Sequence, residues 1–287
     1  MQTSEIKIEE EKYPEELRKI KGAPKILYYK GILPGPSEKC FAVVGTRRYS
    51  PYGQQVALKI SGELTDAGLT IVSGLAPGID TFCHRAVVEK RKRTIAVLGT
   101  GLDEKSIYPQ TNLDLSRKII EYGGCLISEL PEGTSGSKFS FPRRNRIISG
   151  ISLAVLVIEA KEKSGSLITA DCAVKQNKKL FAVPGQIYSI NSAGPNKLIQ
   201  NGAKLITDAN DILNELGLSQ LETKQDSIKA ESHEEKLIIN ALQHEPLHVD
   251  KIIEITKLNA SVVATSLALM EISGKIRNLR ANMYSLN

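Results

Sequence analysis

The run Cys40-Phe41-Ala42-Val43-Val44-Gly45 decides the fold, because it is apolar from end to end and stops at a glycine. Such a run is typical of a strand that is buried on both faces, as in a parallel sheet covered by helices. Ser50 and Pro51 follow as a capping residue and a first-turn proline, which predict a helix extending to about Ala67. Together the strand and the helix predict the first unit of a doubly wound sheet.

The same alternation of apolar runs and helix-forming segments continues to about residue 216. It predicts further strands at 69–73, 94–99, 125–128, 153–158, 180–183 and 203–206. The segments between and after them predict helices at 79–90, 112–122, 166–176 and 208–216, with one more that opens at Pro142. Continuous apolar strands alternating with helices predict an α/β fold with a doubly wound, mostly parallel sheet covered on both faces.

The predicted elements divide the chain into a large domain and a small one. Residues 1–38 form a lead-in with a short helix near 14–20 and a strand near 26–30, and residues 39–216 form the doubly wound domain. Residues 217–232 are polar and unpatterned, which predicts a linker. Residues 233–287 predict a winged helix, with three helices and a β-wing at 234–243, 249–256, 260–273, 274–279 and 283–286.

Charge is distributed unevenly along the chain. The net charge is +6, with a sequence pI near 9.0. From Glu231 onward, six lysines and arginines face seven acids, so this tail carries −1 and the remainder carries +7. A surface that binds a polyanion is therefore expected on the large domain.

The sequence predicts neither a membrane span nor a signal peptide. It has no run of about eighteen apolar residues and no charged-then-apolar N-terminus. Its four cysteines are far apart and lack a CxxC pattern: Cys40, Cys83, Cys125 and Cys172. We interpret them as reduced thiols of a cytoplasmic protein, not as disulfides or metal ligands. No cofactor is predicted.

A second stretch, Phe139-Ser140-Phe141-Pro142-Arg143-Arg144-Asn145-Arg146, concentrates arginines at a predicted helix start. Pro142 fits the first helical position, which would place three arginines in a first turn that the helix dipole already makes positive. A bound phosphate would account for this arrangement. The alternative is a solvated helix start whose arginines pair with carboxylates elsewhere. Phe141 beside them is typical of a platform for single strands, and its alternative is an ordinary core side chain.

Short segments rich in glycine and hydroxyl groups follow the predicted strands, at the edge where doubly wound sheets bind ligands. Glycines allow close approach, and free N–H groups at helix starts bind anions. The segments are Gly45-Thr46-Arg47-Arg48, Ser73-Gly74-Leu75-Ala76-Pro77-Gly78, Gly99-Thr100-Gly101 and Ser164-Gly165-Ser166. Four of them on one edge predict a phosphate-bearing ligand and leave open whether it is a nucleotide or a strand.

Two pairs of polar residues invite an enzymatic interpretation. Asp80 and His84 would share a helix face, but we prefer a helix cap and a buried histidine bonded to a loop carbonyl. Glu129 and Glu159 follow predicted strands, and we prefer pairing with the arginines for both. The sequence has neither a P-loop nor a G-x-G-x-x-G fingerprint. We therefore predict no catalytic residue and no metal site.

These segments, taken in order, resemble the DNA-processing protein A (DprA/Smf) family over about residues 13–215. The motifs that carry the resemblance are Val44-Gly45-Thr46-Arg47, Val72-Ser73-Gly74-Leu75-Ala76-Pro77-Gly78-Ile79-Asp80 with His84, Tyr108-Pro109, Ser128-Glu129, 141–150, Glu159 with 164–170, and Val183-Pro184-Gly185. The resemblance implies an extended Rossmann fold that binds single-stranded DNA and is not an enzyme. It also implies protection of incoming DNA in natural transformation, loading of RecA recombinase, and a homodimer formed through the Rossmann domain.

The resemblance carries over to individual residues. Arg47 matches the arginine of the G-T-R motif, Phe141 matches the stacking position, and the 164–166 loop matches a phosphate-facing turn. With neighbours of these motifs, the predicted DNA-binding residues are Gly45, Arg47, Ser73, Gly74, Lys138, Phe141, Arg143, Arg144, Asn145, Arg146, Ser164, Gly165 and Ser166. Arg143 occupies a position that the family pattern leaves open. The 38-residue lead-in is too short for the N-terminal helical domain of many members.

Two other functions compete with this one. A nucleoside-monophosphate phosphoribohydrolase of Rossmann type would carry a P-G-G-x-G-T-x-x-E loop, whereas this chain reads Val183-Pro184-Gly185-Gln186-Ile187-Tyr188 and lacks the second glycine and the glutamate. A regulator that reads DNA through the winged helix is disfavoured, because the expected recognition helix at 261–272 has no lysine or arginine.

Overall fold

The computed structural model describes residues 2–218, 230–243, 246–279 and 282–286. The chain divides into two compact units, Met1–Thr223 and Lys224–Asn287. Most of the predicted linker at 217–232 lies outside the described residues, which omit 219–229.

A nine-stranded sheet forms the centre of the first unit. Its strands in chain order are β1 (Ser4–Lys7), β2 (Ile26–Gly31), β3 (Cys40–Val44), β4 (Thr70–Ser73), β5 (Thr94–Leu98), β6 (Cys125–Ser128), β7 (Ala154–Val157), β8 (Lys179–Ala182) and β9 (Lys204–Leu205). Their spatial order is β1-β2-β6-β5-β4-β3-β7-β8-β9. Strands β3 to β9 are parallel, whereas β2 pairs antiparallel with β1 and β6. The predicted fold class is therefore confirmed.

The helices of the first unit lie between these strands along the chain, and the last helix follows β9. They are α1 (Glu15–Arg18), α2 (Pro51–Asp66), α3 (Ile79–Glu89), α4 (Leu113–Glu121), α5 (Ser140–Ile151), α6 (Gly165–Lys175), α7 (Ala193–Gln200) and α8 (Ala209–Glu215). The strand order reverses between β3 and β7. At such a reversal the loops leaving the two strands diverge and open a crevice at their carboxyl ends. The fold therefore places a ligand-sized opening beside the loops after β3 and β7.

The two faces of the sheet pack into separate clusters of apolar side chains. In β3, Phe41 and Val43 belong to one cluster, and Ala42 and Val44 belong to the other. This alternation with both faces buried explains why the strand is apolar at every position. The cysteines are free thiols, as predicted, and Cys172 is the partly exposed one.

Two elements of the first unit were not predicted, and one helix begins earlier than predicted. Strand β1 is a mostly polar edge strand with only Ile6 buried, and α7 opens with Ala193-Gly194-Pro195, which is typical of a turn. Helix α5 begins at Ser140, so Pro142 is its third residue and not its first. The Ser137 hydroxyl accepts from the Ser140 N–H at 3.0 Å, which fixes this earlier start.

The second unit is a winged helix, as predicted. Helices α9 (His233–Leu242), α10 (Val249–Thr256) and α11 (Ala260–Ile272) accompany strands β10 (Leu247–His248), β11 (Ile276–Asn278) and β12 (Met283–Leu286), in the order β10-β12-β11. No lysine or arginine occurs in α11. Within the described ranges no single helix has the length and hydropathy to span a membrane, although α10 and α11, bent at 116°, meet that test as a pair.

Candidate nucleic-acid interface

A cleft of about 520 Å³ opens at the point where the strand order reverses. The loop after β3 lines it with residues 45–48, and the loop after β7 lines it with Lys161, Lys163 and the Ser164-Gly165-Ser166 start of α6. Lys138 and the first turns of α5 form a third wall. The structure thus brings together three segments that are distant in sequence, at the edge where the sequence predicts a ligand.

Besides the buried Arg144, five basic side chains line this cleft: Arg47, Arg48, Lys138, Lys161 and Lys163. In the part of the chain that the structure describes, no carboxylate forms a salt bridge with any of them. Asp80 is the one acidic residue among the described lining, and it is buried. The cleft therefore presents a net positive surface without internal neutralisation, which favours an anionic ligand.

Phe141 stands on the rim of the cleft as a half-buried ring. The Arg47 guanidinium lies 5.3 Å from its centroid, within cation–π range, and the Tyr108 ring lies 5.5 Å away in a tilted arrangement. Gly136 packs against the ring so closely that a Cβ there would be 2.4 Å from Phe141 Cζ. The ring is thus held in place from several sides while part of it faces solvent.

A second recess of about 440 Å³ lies on the other side of Phe141. Its lining includes Lys105, Tyr108 and Lys138, together with serines 106, 135 and 137. Phe139 nearby is 74% exposed, and the Lys138 ammonium lies 5.2 Å from its ring centroid. Sequence reasoning did not assign a role to Tyr108 or Phe139, although Phe139-Ser140-Phe141 repeats an aromatic at a spacing of two.

Arg144 belongs to the interior of the protein and forms the floor of the cleft. It is buried, and its guanidinium donates to the carbonyl oxygens of Gly74, at 2.7 Å, and Val97. Burial lowers the pKa of Arg144 to about 10, while Asp80 opposes that shift. The arginine stays charged at neutral pH, and its fork ties the loop after β4 to the end of β5.

Asp80 faces Arg144 across Gly74. A Cβ at Gly74 would be 2.5 Å from Asp80 Oδ2 and 2.6 Å from Arg144 Nη2, so glycine is required here. The Gly74 N–H donates to Asp80 Oδ2 at 3.1 Å. Burial raises the pKa of the Asp80 carboxyl, whereas Arg144 and backbone N–H groups lower it. The prediction that Asp80 caps α3 is wrong, because Gly78 holds the N-cap position.

Four predicted site residues do not line the cleft: Ser73, Gly74, Arg143 and Arg146. Ser73 is fully buried and donates from Oγ to the Val43 carbonyl at 2.6 Å. Gly74 lies under Arg144. Arg146 donates to Glu129 at 2.8 Å and to the Gly22 carbonyl at 3.0 Å.

Glu129 also accepts from Arg143 at 2.8 Å. The pairing predicted for Glu129 is therefore confirmed. The pairing predicted for Glu159 is wrong. Glu159 accepts from the N–H of Ser50, at 3.0 Å, and from its hydroxyl, and so supports the start of α2.

Asn145 connects α5 to the start of α6. Its Nδ2 donates to the Gly165 carbonyl at 3.0 Å, and its Oδ1 accepts from Arg144 Nε at 3.2 Å. The Ser164 hydroxyl caps α6 by accepting from the Ser166 N–H at 3.4 Å. A Cβ at Gly165 would meet no atom within 4 Å, so this turn faces open space in the cleft.

His84 has no access to the cleft. It is fully buried, and its Nδ1 lies 2.9 Å from Thr94 Oγ1. The backbone of Ser73, at the end of β4, also forms a hydrogen bond with the imidazole. Burial lowers the pKa of His84 to about 3, and Arg144 contributes in the same direction. The imidazole is therefore neutral under ordinary conditions and has a packing role.

Comparison with known proteins gives consistent matches for both units. Residues 4–217 match the family described as DNA recombination-mediator protein A, and residues 222–282 match the DprA winged helix domain. DNA processing protein DprA of Bacillus subtilis is 44% identical over 212 residues, which cover 74% of this chain and 70% of that protein.

Two solved structures resemble the first unit. The X-ray structure of DNA processing protein A from Streptococcus pneumoniae superposes with a TM-score of 0.69 at 42% identity, covering 74% of each chain. DNA processing protein A from Helicobacter pylori, whose structure was described for its single-stranded DNA binding mode, gives a TM-score of 0.65 at 32% identity. That match covers 75% of this chain and 95% of the other.

Proposed function

The chain belongs to the DNA recombination-mediator protein A (DprA/Smf) family, and we propose that it binds single-stranded DNA in the cleft between β3 and β7 during DNA processing in natural transformation. The observation that carries the proposal is the set of five basic side chains in the cleft that have no carboxylate partner among the described residues. A chain of phosphates is the ligand that neutralises such a row. The Helicobacter pylori relative, described for its single-stranded DNA binding mode, supports the same ligand class.

Each wall of the cleft has a distinct task in this proposal. Arg47 offers a planar, charge-assisted donor to one phosphate. The open turn at Gly165 offers backbone N–H groups at the start of α6 to another. The ring of Phe141, already oriented by Arg47 and Tyr108, stacks on a base. Ser73, Gly74, Arg144 and Asn145 act behind this surface by holding the loops in place.

Stacking and phosphate contacts are independent of base identity, so we expect little sequence preference. Duplex bases are stacked on each other and unavailable to Phe141, so single strands should bind more tightly than duplexes. A gel shift with single-stranded and double-stranded oligonucleotides of one length tests this. Equal affinity for the duplex would contradict the proposal. The logarithm of the affinity should fall by about 0.7 per log unit of salt for each phosphate neutralised.

The phosphoribohydrolase alternative receives no support from the cleft. Asp80, the one carboxylate among the described lining, accepts a hydrogen bond from the Gly74 N–H and is buried. Its geometry suits a structural role better than attack on a sugar. Incubation with AMP should therefore release no adenine, and release of adenine would favour the alternative.

We propose that strand binding resides in the first unit and not in the winged helix. The tail from Glu231 onward carries −1, and α11 has no lysine or arginine. A chain ending at Leu216 that remains folded should keep most of its affinity for single strands. Loss of most of that affinity would assign the winged helix a part in binding.

The downstream steps implied by the family are also proposals for this protein. We propose that it acts as a homodimer through the first unit, in the cytoplasm, and loads RecA recombinase onto the bound strand. Sedimentation tests the dimer. Assembly of RecA on a strand coated with single-strand-binding protein, with and without this protein, tests the loading step. No acceleration of assembly would contradict it.

A further inference from the structure

The turn that follows β8 exposes three large apolar side chains within four residues. Ile187 is 83% exposed, Tyr188 is 93% exposed and Ile190 is 65% exposed. Each of Ile187 and Tyr188 is more exposed than Phe139, which is 74% exposed. A cluster of apolar side chains in solvent is typical of a binding surface.

This turn is held in a defined conformation by hydrogen bonds at both ends. The Gly185 N–H donates to Asn196 Oδ1 at 3.1 Å, and Asn196 Nδ2 donates back to the Gly185 carbonyl at 3.0 Å. The Ser189 N–H donates to the Gln186 carbonyl, and the Ser192 N–H donates to the Ser189 carbonyl, both at 3.0 Å. Little backbone entropy remains to be lost when a ligand contacts the tip.

Hydrogen bonds also join the turn to two of the three segments that form the cleft. Asn191 Nδ2 donates to the Arg48 carbonyl at 2.8 Å, and the Asn191 carbonyl accepts from the Ala160 N–H at 2.8 Å. The Tyr52 hydroxyl donates to the Pro184 carbonyl at 2.9 Å. Arg48 itself and Lys161, which follows Ala160, line the cleft. The exposed turn therefore continues the basic rim on the β8 side.

We propose that residues 186–190 form a second base-stacking platform, which extends the single-strand track from the cleft past Arg48 to Tyr188. The inference rests on the proposed function and adds a site to it. The occupant is a continuation of the same DNA strand, because the turn is bonded directly to residues of the cleft and lies beside cations without described carboxylate partners. An exposed aromatic ring next to such cations matches the chemistry of nonspecific single-strand binding.

The length of the DNA separates this platform from the cleft. Affinities are measured for oligo-dT of increasing length with the full chain, Tyr188→Ala and Arg47→Ala. Tyr188→Ala should bind short strands as the unmodified protein does and lose roughly 5- to 150-fold in affinity for strands long enough to reach the turn. Arg47→Ala should weaken binding at every length.

Ile32→Ala is the matched control for loss of an exposed apolar side chain. Ile32 is 63% exposed, and its N–H donates to the carbonyl of Gly124, which directly precedes β6. Ile32 therefore lies near the amino end of β6, whereas the cleft lies at the carboxyl ends of the parallel strands. It should leave the affinity for every length unchanged. A melt of each variant confirms that the folded fraction is the same.

The absence of tryptophan from the sequence allows a direct measurement at the turn. Tyr188→Trp introduces a single strong emitter, and stacking on a base should quench its fluorescence when long oligo-dT is added. Ile32→Trp should show no quenching. Short oligo-dT should quench neither variant.

Several results would overturn the proposal. If Tyr188→Ala keeps full affinity at all lengths while Arg47→Ala weakens binding, the platform is absent and the proposed function stands. If Tyr188→Ala changes the sedimentation of the protein without changing strand affinity, the turn is a protein interface. If the unmodified protein binds no single strand, the proposed function fails first and the platform fails with it.

Discussion

The basic residues of the cleft rim and those of α5 lie close together and differ in their partners. Arg47 and Lys138 contact aromatic rings and form no salt bridge within the described residues. Arg143 and Arg146 share one carboxylate, Glu129. The number of arginines in a motif therefore does not predict the number of phosphates that the surface can bind. The partners of each guanidinium decide whether it binds a ligand or stabilises the fold.

Arg144 is the extreme case of the second group and gives the largest expected effect. Arg144→Ala removes donors to the Gly74 and Val97 carbonyls and leaves the Asp80 carboxyl buried without its compensating cation. We expect a loss on the order of 3–5 kcal/mol in the free energy of unfolding, as for breaking a buried charge pair. Urea denaturation of the full chain measures it.

Arg143→Ala is the control on the same helix, since its side chain is largely exposed, and it should change stability little. A variant at Arg144 that keeps its stability and loses strand affinity would reverse our assignment. Arg144 would then be a phosphate ligand like Arg47.

The burial of His84 predicts that the free energy of unfolding depends on pH. The pKa of His84 is about 3 in the folded protein, below its usual 6.5, because of burial and then Arg144. The unfolded chain therefore binds a proton that the folded protein excludes. Stability from this residue is present above about pH 6.5 and declines as the pH falls, by about 2 kcal/mol between pH 6.5 and pH 5.

Unfolding measured at several pH values for the unmodified protein and for His84→Gln isolates this contribution from that of Asp80. The variant should show the shallower pH dependence, whatever its absolute stability. Equal slopes for the two proteins would mean that His84 binds a proton in the folded state as readily as in the unfolded chain.

Phe141 lies between the two groups, because it contacts Arg47 in the cleft and belongs to α5. Phe141→Ala should lower the affinity for single strands by roughly 1–3 kcal/mol and leave its salt dependence nearly unchanged, because no phosphate contact is lost. A core phenylalanine would instead lower stability by about 3–5 kcal/mol on truncation. Affinity at several salt concentrations, combined with a melt, separates the two. A destabilised variant whose folded fraction binds DNA normally would exclude stacking.

The sequence predicted the fold well because strands buried on both faces must be apolar throughout, as Cys40-Phe41-Ala42-Val43-Val44 is. It also predicted that Gly45, Arg47 and Phe141 meet at one edge, since strand order determines which loops are neighbours. Strand β1 was not predicted, because an edge strand with one buried side chain has no clear alternation of apolar and polar residues.

The differences in burial and pairing among the neighbouring arginines of α5 could not be predicted from the sequence. Arg144 is buried because carbonyls at Gly74 and Val97, far away in sequence, converge on it. The early start of α5 depends on the Ser137 hydroxyl and places Arg144 and Arg146 beyond the first turn. These are tertiary contacts, and no local pattern around residues 139–146 encodes them.

The smallest expected effect is the one that tests the comparison most directly. Arg47→Ala should lower the slope of log affinity against log salt by about 0.7, the contribution of one phosphate on a single strand. Arg143 is also exposed and is the fourth residue of α5. Arg143→Ala should nevertheless leave the slope unchanged, because the charge of Arg143 is already paired with Glu129 at 2.8 Å. Glu129→Gln then separates pairing from position. If pairing keeps Arg143 from the strand, releasing it should raise the slope, and adding Arg143→Ala to Glu129→Gln should cancel that rise. If Arg143→Ala alone lowers the slope as far as Arg47→Ala does, a phosphate competes successfully with Glu129, and the partners seen in the free protein do not decide which arginines bind DNA.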